Sequence, residues 1–409
     1  AKATSLKAAL QAHADDAPTL RMLRYHINEF GQPVRSDREM SPCEDPDLRG
    51  ERGPVFVRAL TNYVQSVMRV EYHFSELTVP LLSAPQLAPG PGKQVPPHCR
   101  ILMTRDWSRC STLVVVLPSI ASSDLQPGLW SRSLCMDDGV YAGSMLPLVH
   151  YARQRRWGVA VLNPNTNCMR VLQPGFTVRY ANVPIECSST PERHVAYVWD
   201  NYLKVSAARQ VIVFAHGAGG VALLSMLKRR PAALQRIAGA CFADLPLREG
   251  TSVESLVSRV DEADAGGVGA GAGAGLDGGG DLEVVHDEDD DEDDDEDGGG
   301  AGAAISRVLE FLVSRCVNCV TSSEPVGAML EDTRLGCPTL SVGQPPPDAR
   351  SQSEAWVASL AVPVFVRFAE HLGKLGSGST GSAMSEALDV DDAADSFATL
   401  AAEAASGGD

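Results

Sequence analysis

No apolar run in the sequence approaches the roughly 18 to 20 residues that a helix needs to span a bilayer. The start lacks the basic segment and apolar run of a secretory signal, and the first residue is Ala1 rather than Met, which fits a processed or partial chain. The 10 cysteines stand at irregular intervals, unlike those of a disulfide framework. We therefore expect reduced thiols, no membrane association, and a nuclear or cytosolic location.

An excess of basic charge is also missing. The formal net charge is −17, but one unbroken acidic run at 287–297 holds 11 of the 52 acidic residues. The other 41 oppose 35 Lys and Arg, which leaves about −6 for the rest of the chain. No direct nucleic-acid site is expected from this balance. The run itself is typical of a solvated spacer, with binding of basic partners such as histone tails as the alternative.

Apolar patterns predict alternating strands and helices along the body of the chain. Thr112–Leu117 is apolar on both faces, which is typical of a central strand in a covered parallel sheet. It is predicted to follow a partner strand at 100–103, and residues 23–34 are predicted to form a hairpin around Gly31. Other strands are expected at 157–162, 211–216, 237–243 and 339–343, and helices at 54–70, 145–155, 190–202 and after 353. The result is an α/β fold with a doubly wound, mostly parallel sheet of at least six strands.

Composition divides the chain into a core and appendages. Residues 1–98 are interpreted as an N-terminal extension with a hairpin and one amphipathic helix that packs on the core, and residues 99–372 as the α/β domain. Residues 264–302 combine a Gly/Ala stretch with the acidic run, and residues 373–409 are rich in Gly, Ser, Ala and Asp. Such segments bury too little apolar surface to offset ordering entropy, so both are expected to be disordered.

The segment VIVFAHGAGG at 211–220 predicts a strand, a tight turn and a helix. In α/β-hydrolases this arrangement is the nucleophile elbow, where a turn flanked by small residues exposes a Ser, Cys or Asp side chain. Here the nucleophile position is Gly217, between His216 and Ala218. Glycine has no side chain with which to attack a substrate, so the elbow predicts the fold and not the chemistry.

Besides the elbow, a hydrolase site on this fold needs an acid, a histidine and an oxyanion hole. Asp244 follows the next strand and is interpreted either as the catalytic acid or as a turn cap. The segment after the last strand, QPPPDAR, has no histidine, and His371 falls inside the final helix. The oxyanion loop contains Ser119 after a proline, where active enzymes usually have glycines and free N–H donors. We interpret His216, Gly217, Ala218, Asp244 and Ser119 as a degenerate hydrolase site without catalytic residues.

Three other chemistries were considered for these motifs. Residues 217–222 match a dinucleotide fingerprint, but packing glycines explain the match better, because the turn lies deep in the strand order. His216 has no nucleophile or metal partner in the sequence and is interpreted as a turn residue. Cys316 and Cys319 have the spacing of a metal half-site, but no second pair completes it, so we expect a buried pair at the end of a helix. No cofactor and no metal are expected.

Seven segments together resemble the Argonaute-binding protein two (Arb2) domain family, which includes an animal group of cotranscriptional regulators. They are YHINEFGQ at 25–32, LWSRSL at 129–134, VAVLNPN at 159–165, PERHVAYVWD at 191–200, VFAHGAGG at 213–220, CVNCVTSSEP at 316–325 and CPTLSVG at 337–343. The resemblance implies an α/β-hydrolase-like fold, a nuclear or cytosolic location and association with Argonaute proteins in small-RNA silencing. It also extends to the C-terminal domain of fungal class II histone deacetylases, where the domain looks like a heterochromatin interaction module.

Animal members of this family keep Ser in an AHSYGG elbow and a histidine after the last strand. Gly217 and the proline-rich segment after Gly343 depart from both features, so hydrolase activity is not transferred to this chain. We expect a non-catalytic scaffold that binds Argonaute or chromatin factors. The alternatives are a hydrolase with a rearranged site that uses Asp244 and His216, and a small-ligand sensor at the glycine-rich turn.

Overall fold

A nine-stranded sheet forms the centre of the fold in the computed structural model, which describes residues 5–13, 18–38, 40–90, 94–120, 125–173, 179–247, 252–259, 301–332, 334–351 and 353–375. The strands are β1 (Tyr25–Ile27), β2 (Pro33–Arg35), β3 (Phe74–Val79), β4 (Cys99–Thr104), β5 (Thr112–Leu117), β6 (Gly158–Val161), β7 (Cys168–Gln173), β8 (Arg179–Pro184), β9 (Gln210–His216), β10 (Ile237–Ala243), β11 (Cys316–Val320), β12 (Met329–Leu330) and β13 (Thr339–Ser341). The large sheet has the order β12-β13-β11-β10-β9-β5-β6-β4-β3. In this sheet the pairs β6–β5, β5–β9, β9–β10, β10–β11 and β11–β13 are parallel, whereas the pairs β3–β4, β4–β6 and β12–β13 are antiparallel.

Helices cover both faces of this sheet. They are α1 (Leu6–Ala12), α2 (Pro18–Met22), α3 (Arg52–Glu71), α4 (Ala84–Leu87), α5 (Arg132–Asp137), α6 (Val140–Gly143), α7 (Leu146–Gln154), α8 (Pro191–Val198), α9 (Ala218–Arg229), α10 (Val253–Arg259), α11 (Ala301–Arg315), α12 (Trp356–Leu360) and α13 (Val362–Leu375). Helices α3, α7, α12 and α13 pack with Ile212 and Phe214 of β9, while α8, α9 and α11 pack with Val211 and Val213. Successive strand residues therefore face different cores, as the two-residue period of a strand requires.

The predicted fold class is confirmed: the sheet is doubly wound, mostly parallel and α/β-hydrolase-like. Strands β5, β6 and β10 of the parallel centre are apolar on both sides because helices cover both faces; β5 is buried from Leu113 to Leu117. The predicted hairpin is also present, with Ile27 opposite Pro33 in an antiparallel pair. Thr190 caps α8 as its sequence suggests, since its side chain accepts the Arg193 N–H at 3.2 Å.

Several boundaries differ from the sequence-based predictions. The strands β4 and β5 are not partners, because β6 lies between them. The boundary at 98/99 cuts the sheet, since the unpredicted strand β3 pairs with β4 over six residues. The interpreted insertion 264–302 and tail 373–409 each overlap a helix by a few residues, in α11 and α13. The acidic run 287–297 and residues 376–409 lie outside the described residues.

Candidate functional site

The elbow turn is present between β9 and α9, with the geometry predicted for it. His216 ends the strand, Ala218 begins the helix, and Gly217 between them has φ 52° and ψ −130°. A positive φ of this kind is readily adopted by glycine and strained for other residues. The Gly217 N–H donates to the Ala243 carbonyl of β10 at 2.8 Å, which fixes the turn at the carboxyl edge of the sheet. The backbone of a nucleophile elbow is therefore kept without its side chain.

The space above Gly217 is filled from the neighbouring strand. A Cβ atom on residue 217 would lie 2.6 Å from Ser119 Oγ and 3.2 Å from Ser119 Cβ. Ser119 follows β5, which pairs with β9 through Leu117 and Ala215. Real Cβ atoms do not come this close to another heavy atom, so any side chain at position 217 must displace Ser119. The hydroxyl of Ser119 thus lies against the position that the Cβ of a nucleophile would occupy.

The two glycines that follow are explained by close packing. A Cβ on Gly219 would lie 2.5 Å from the Pro118 carbonyl oxygen, and a Cβ on Gly220 would lie 2.5 Å from Leu245 Cδ1 and 2.9 Å from Phe242 Cδ1. These contacts let α9 approach the ends of β5 and β10. The glycines therefore serve helix–sheet packing, which is the interpretation that the sequence favoured over a dinucleotide fingerprint.

His216 is buried beneath the turn and uncharged at neutral pH. Burial lowers its pKa to about 4, because desolvation disfavours the imidazolium ion. Its ring lies edge to face with that of Trp130, at 6.1 Å between ring centres. Among the described residues, His216 Nδ1 and Trp130 Nε1 are buried without a hydrogen-bond partner. His216 Nδ1 is therefore not joined to Asp244 or Ser119, as a relay for acid–base catalysis would require.

Asp244 lies at the same edge of the sheet, at the end of β10. It has φ 58°, its residue is exposed, and its N–H donates to the Cys319 carbonyl at 2.9 Å. Partial desolvation and then the Glu354 carboxylate raise the pKa of Asp244. The next N–H, of Leu245, is accepted by Asn318 Oδ1 at 3.4 Å rather than by Asp244. The electrostatic neighbour that affects the pKa of Asp244 is thus a carboxylate rather than a histidine.

The segment after β13 is fixed in place but supplies no base. The N–H groups of Arg350 and Ser351 donate to the Asp138 carboxylate at 2.8 and 2.9 Å, and Trp356 Nε1 donates to the Ser351 carbonyl at 3.1 Å. Glu354 comes from this segment. His371 lies within α13, as its sequence position predicts. The loop after β13 therefore contains Glu354, whose charge raises the pKa of Asp244, and no histidine.

A buried histidine that the sequence did not single out organises the loop after β6. His194 Nε2 accepts the Asn163 N–H at 3.0 Å, so Nδ1 carries the proton and donates to Ser188 Oγ at 2.9 Å. Burial lowers the pKa of His194 to about 3. Asn165 of the same loop donates from Nδ2 to the Ser119 carbonyl at 3.0 Å. The only sequence signal for this network is the pair of segments VAVLNPN and PERHVAYVWD, which meet here.

The two cysteines with metal-like spacing lie in a strand. Cys316 and Cys319 belong to β11 and not to a helix end, and positions three apart in a strand face opposite sides of the sheet. Cys316 packs with the α11 side and Cys319 with the α13 side, where Cys319 Sγ lies 3.7 Å from Cys241 Sγ. These two cysteines cannot ligate one ion, and the described residues contain no cluster of three metal-ligating side chains.

The middle of the chain matches a known domain family. Residues 63–254, from the second half of α3 to the start of α10, match the model of the Arb2 domain. This part of the chain is similar to the Arb2 domain. The elbow, Ser119, the loop after β6 and Asp244 all lie inside the matched region.

Relatives of the Arb2 domain differ in how much of each protein is aligned. The chain is 29% identical to human putative protein ARB2BP over 128 residues, which cover 25% of this chain and 35% of that protein. It is 22% identical to the human cotranscriptional regulator ARB2A over 375 residues, covering 80% of this chain and 76% of that protein. A histone deacetylase from Saccharomyces cerevisiae is a similar solved structure, with a TM-score of 0.38 and 10% identity, covering 79% of this chain and all of that one. Among the described helices, none is long and apolar enough to cross a membrane.

Proposed function

We propose that this chain is a non-catalytic interaction scaffold that acts in transcription-linked gene regulation in the nucleus. The observation that carries the proposal is the Gly217–Ser119 contact. Position 217 carries no side chain, and the Ser119 side chain lies against it. A fold kept at this level of detail without its reactive group is suited to presenting a surface.

The surroundings of the elbow support the same conclusion. A nucleophilic hydroxyl needs a general base within hydrogen-bond reach, and among the described residues none is bonded to Ser119 Oγ. Partial desolvation and the charge of Glu354 raise the pKa of Asp244, and no hydrogen bond between Asp244 and a histidine is present among the described residues. The name cotranscriptional regulator, carried by relatives over most of this chain, supports a regulatory role. The resemblance to Argonaute-binding domains supports an Argonaute or chromatin protein as the partner.

The absence of catalysis is testable on the purified chain. Incubation with a fluorophosphonate probe and with p-nitrophenyl butyrate should give no labelled residue and no hydrolysis above the rate of a matched Gly217→Ala variant. A serine esterase run in parallel verifies the reagents. Labelling of Ser119, or hydrolysis that is lost in a double Asp244→Asn, His216→Phe variant, would show a rearranged active site and overturn the proposal.

The partner is tested by reciprocal purification. Tagged chain and a tagged Argonaute are each recovered from nuclear extract with nuclease treatment, and each is examined for the other. The proposal predicts recovery in both directions, retained after deletion of residues 264–300. Failure in both directions, with a folded bait, excludes Argonaute; a chromatin factor recovered in both directions supports the scaffold role with a different partner.

A further inference from the structure

An open cavity lies at the amino ends of the parallel strands, at the edge of the sheet opposite the elbow. Its volume is about 450 Å³, and it is lined by Thr112, Arg155, Trp157, Ala369, Glu370 and Gly373. Thr112 begins β5 and Trp157 directly precedes β6, whereas Ala369, Glu370 and Gly373 belong to α13. Because the elbow follows the carboxyl end of β9, this amino-edge cavity is separate from the degenerate site.

The wall of the amino-edge cavity is aromatic and carries no net charge. The guanidinium carbon of Arg155 lies 5.8 Å from the ring centre of Trp157 and 5.9 Å from that of Tyr151. Arg155 Nε donates to the Glu370 carboxylate, so the charges of these two lining residues balance each other. Trp157 is only half-buried, which leaves part of its surface available to a further apolar group.

Two arginines beside the amino-edge cavity have no acidic partner. Arg156 stands in sequence between two residues that line the cavity, and the Arg209 N–H donates to the carbonyl of Ser111, directly before β5, at 2.9 Å. Arg156 and Arg209 are exposed and form no ion pair with another described residue. The Asp106 carboxylate at the same edge is already bonded to Arg153, at 2.8 and 3.0 Å. This edge therefore suits an acidic partner.

The chain itself continues from the wall of the cavity. Gln210 Nε2 donates to the Leu372 carbonyl at 3.2 Å, which fixes the end of α13 against the start of β9. Gly373 lines the cavity, and α13 ends two residues later, at Leu375. Residues 376–382 are all Gly, Ser or Thr, and a linker of seven such residues spans about 15 Å. A segment tethered at this distance has an effective concentration in the millimolar range.

The composition of the segment after this linker matches both features of the cavity. Residues 376–409 contain seven Asp and Glu and no Lys, Arg or His. Val390, Phe397 and Leu400 repeat at i, i+7 and i+10, which is typical of one helical face. The run 287–297 is more acidic but has no apolar residue, so it matches the arginines and not the aromatic wall.

We propose that the acidic segment 383–404 of this chain docks on its own amino-edge cavity, with the Phe397 ring against Trp157 and acidic side chains at Arg156 and Arg209. This intramolecular contact does not depend on the proposed non-catalytic function. It occupies the edge of the sheet that the elbow leaves free.

The test observes the five tryptophan indole N–H resonances of the 15N-labelled full chain. Phe397→Ala should shift the Trp157 resonance, assigned with Trp157→Phe, and leave that of Trp130, buried beside His216, unchanged. A synthetic peptide of residues 383–404, added to the Phe397→Ala chain, should return the Trp157 resonance saturably to its original position. The same peptide with Ala at position 397 should not.

The charged part of the contact is measured by the fluorescence anisotropy of the labelled peptide on the Phe397→Ala chain. Adding Arg156→Ala and Arg209→Ala should weaken binding about two- to tenfold, the range for two exposed ion pairs. Arg193→Ala is the matched control, because Arg193 is exposed on α8, on the other face of the sheet, and should leave the affinity unchanged. This measurement needs no resonance assignment and serves if Trp157→Phe does not fold.

Three results would overturn the proposal. An unchanged Trp157 resonance in Phe397→Ala means that the segment does not reach the cavity. A Trp157 shift on deletion of residues 287–297, with none in Phe397→Ala, means that the acidic run is the occupant. A Trp157 position that changes with protein concentration means that the segment docks on a second copy of the chain.

Discussion

Asn165 donates from Nδ2 to the backbone carbonyl of Ser119 at 3.0 Å and so ties the loop after β6 to the loop that fills the elbow. Both loops follow the carboxyl ends of adjacent parallel strands. The loop after β6 is also bonded to a buried histidine, because the Asn163 N–H donates to His194 Nε2. The place of the Ser119 hydroxyl over Gly217 is therefore set by a chain of contacts that begins at a buried histidine.

Asn165→Ala should lower the free energy of unfolding by about 1 to 3 kcal/mol, because the half-buried Ser119 carbonyl loses its donor. Urea unfolding followed by circular dichroism measures the change. The matched control is Asn201→Ala, which removes a bond of the same length to the Tyr197 carbonyl on an exposed surface and should cost much less. An equal loss of unfolding free energy in the two variants would show that the bond from Asn165 to Ser119 stabilises the chain no more than an exposed hydrogen bond does.

Gly217→Ala should destabilise the chain by about 1 to 3 kcal/mol, from the positive φ and from the contact with Ser119. Only the contact can be relieved from outside the turn. In a Ser119→Gly background the same substitution should cost less, and a double-mutant cycle isolates that difference. Strict additivity of the two changes would mean that Ser119 moves away freely and does not fill the elbow. Gly50→Ala, at an open positive-φ position, serves as the control for backbone strain alone.

The elbow could be recognised from the sequence because its signal is local. A β-branched run, small residues and a helical pattern within about 20 positions encode a strand, a turn and a helix. The occupation of the elbow by Ser119 could not be recognised, because Ser119 and Gly217 are far apart in the chain and meet only through the β5–β9 register. The strands β3 and β12 were not predicted either, because they are edge strands without a long apolar run. The Cys316 and Cys319 pair was expected at the end of a helix; CVNCV instead forms strand β11, which directly follows Arg315, the last residue of α11.

The interpretation of the candidate site from the sequence depends on side chains that are missing at Gly217 and after Gly343, which the sequence itself displays. It was incomplete where burial decides function. No sequence pattern marks His194 or Trp130. Burial in the folded chain lowers the pKa of His194 and leaves Trp130 Nε1 without a hydrogen-bond partner. Spacing cannot show such enclosure, since it results from two helical layers closing on one sheet.

The stability of the chain should fall on acidification from about pH 6.5, because two buried histidines are kept neutral in the folded state. The pKa is about 3 for His194 and about 4 for His216, below the value of about 6.5 in an unfolded chain. Between these values the unfolded state binds more protons, so stability is full above the unfolded pKa and is lost as pH falls. Each histidine contributes a slope of up to about 1.4 kcal/mol per pH unit. Urea unfolding at a series of pH values measures the slope.

In His194→Gln, the contribution of one titrating group to the pH dependence of the unfolding free energy should be lost. The Gln amide oxygen can still accept the Asn163 N–H. His26→Gln is the control, because His26 is exposed on β1. An unchanged slope in His194→Gln would show that His194 titrates in the folded protein as it does in the unfolded chain.

The charges of Asp244 and Glu354 predict a change of stability with pH that is opposite in sign to that of the two histidines. Partial desolvation and the Glu354 charge raise the pKa of Asp244 in the folded state, so its ionised form is disfavoured by folding and weighs against stability at neutral pH. Asp244→Asn should therefore raise the free energy of unfolding slightly at pH 7. The gain should shrink as the pH falls through the raised folded-state pKa and vanish below about 4, where Asp244 is neutral in both states. The effect is small because Asp244 is exposed and its charge is screened. Glu354→Gln should produce a gain of the same sign, and the two gains should be less than additive, because removing either charge relieves the same repulsion. A loss of stability in Asp244→Asn would instead mean that the carboxylate makes a favourable contact, as expected of a residue retained for acid–base work.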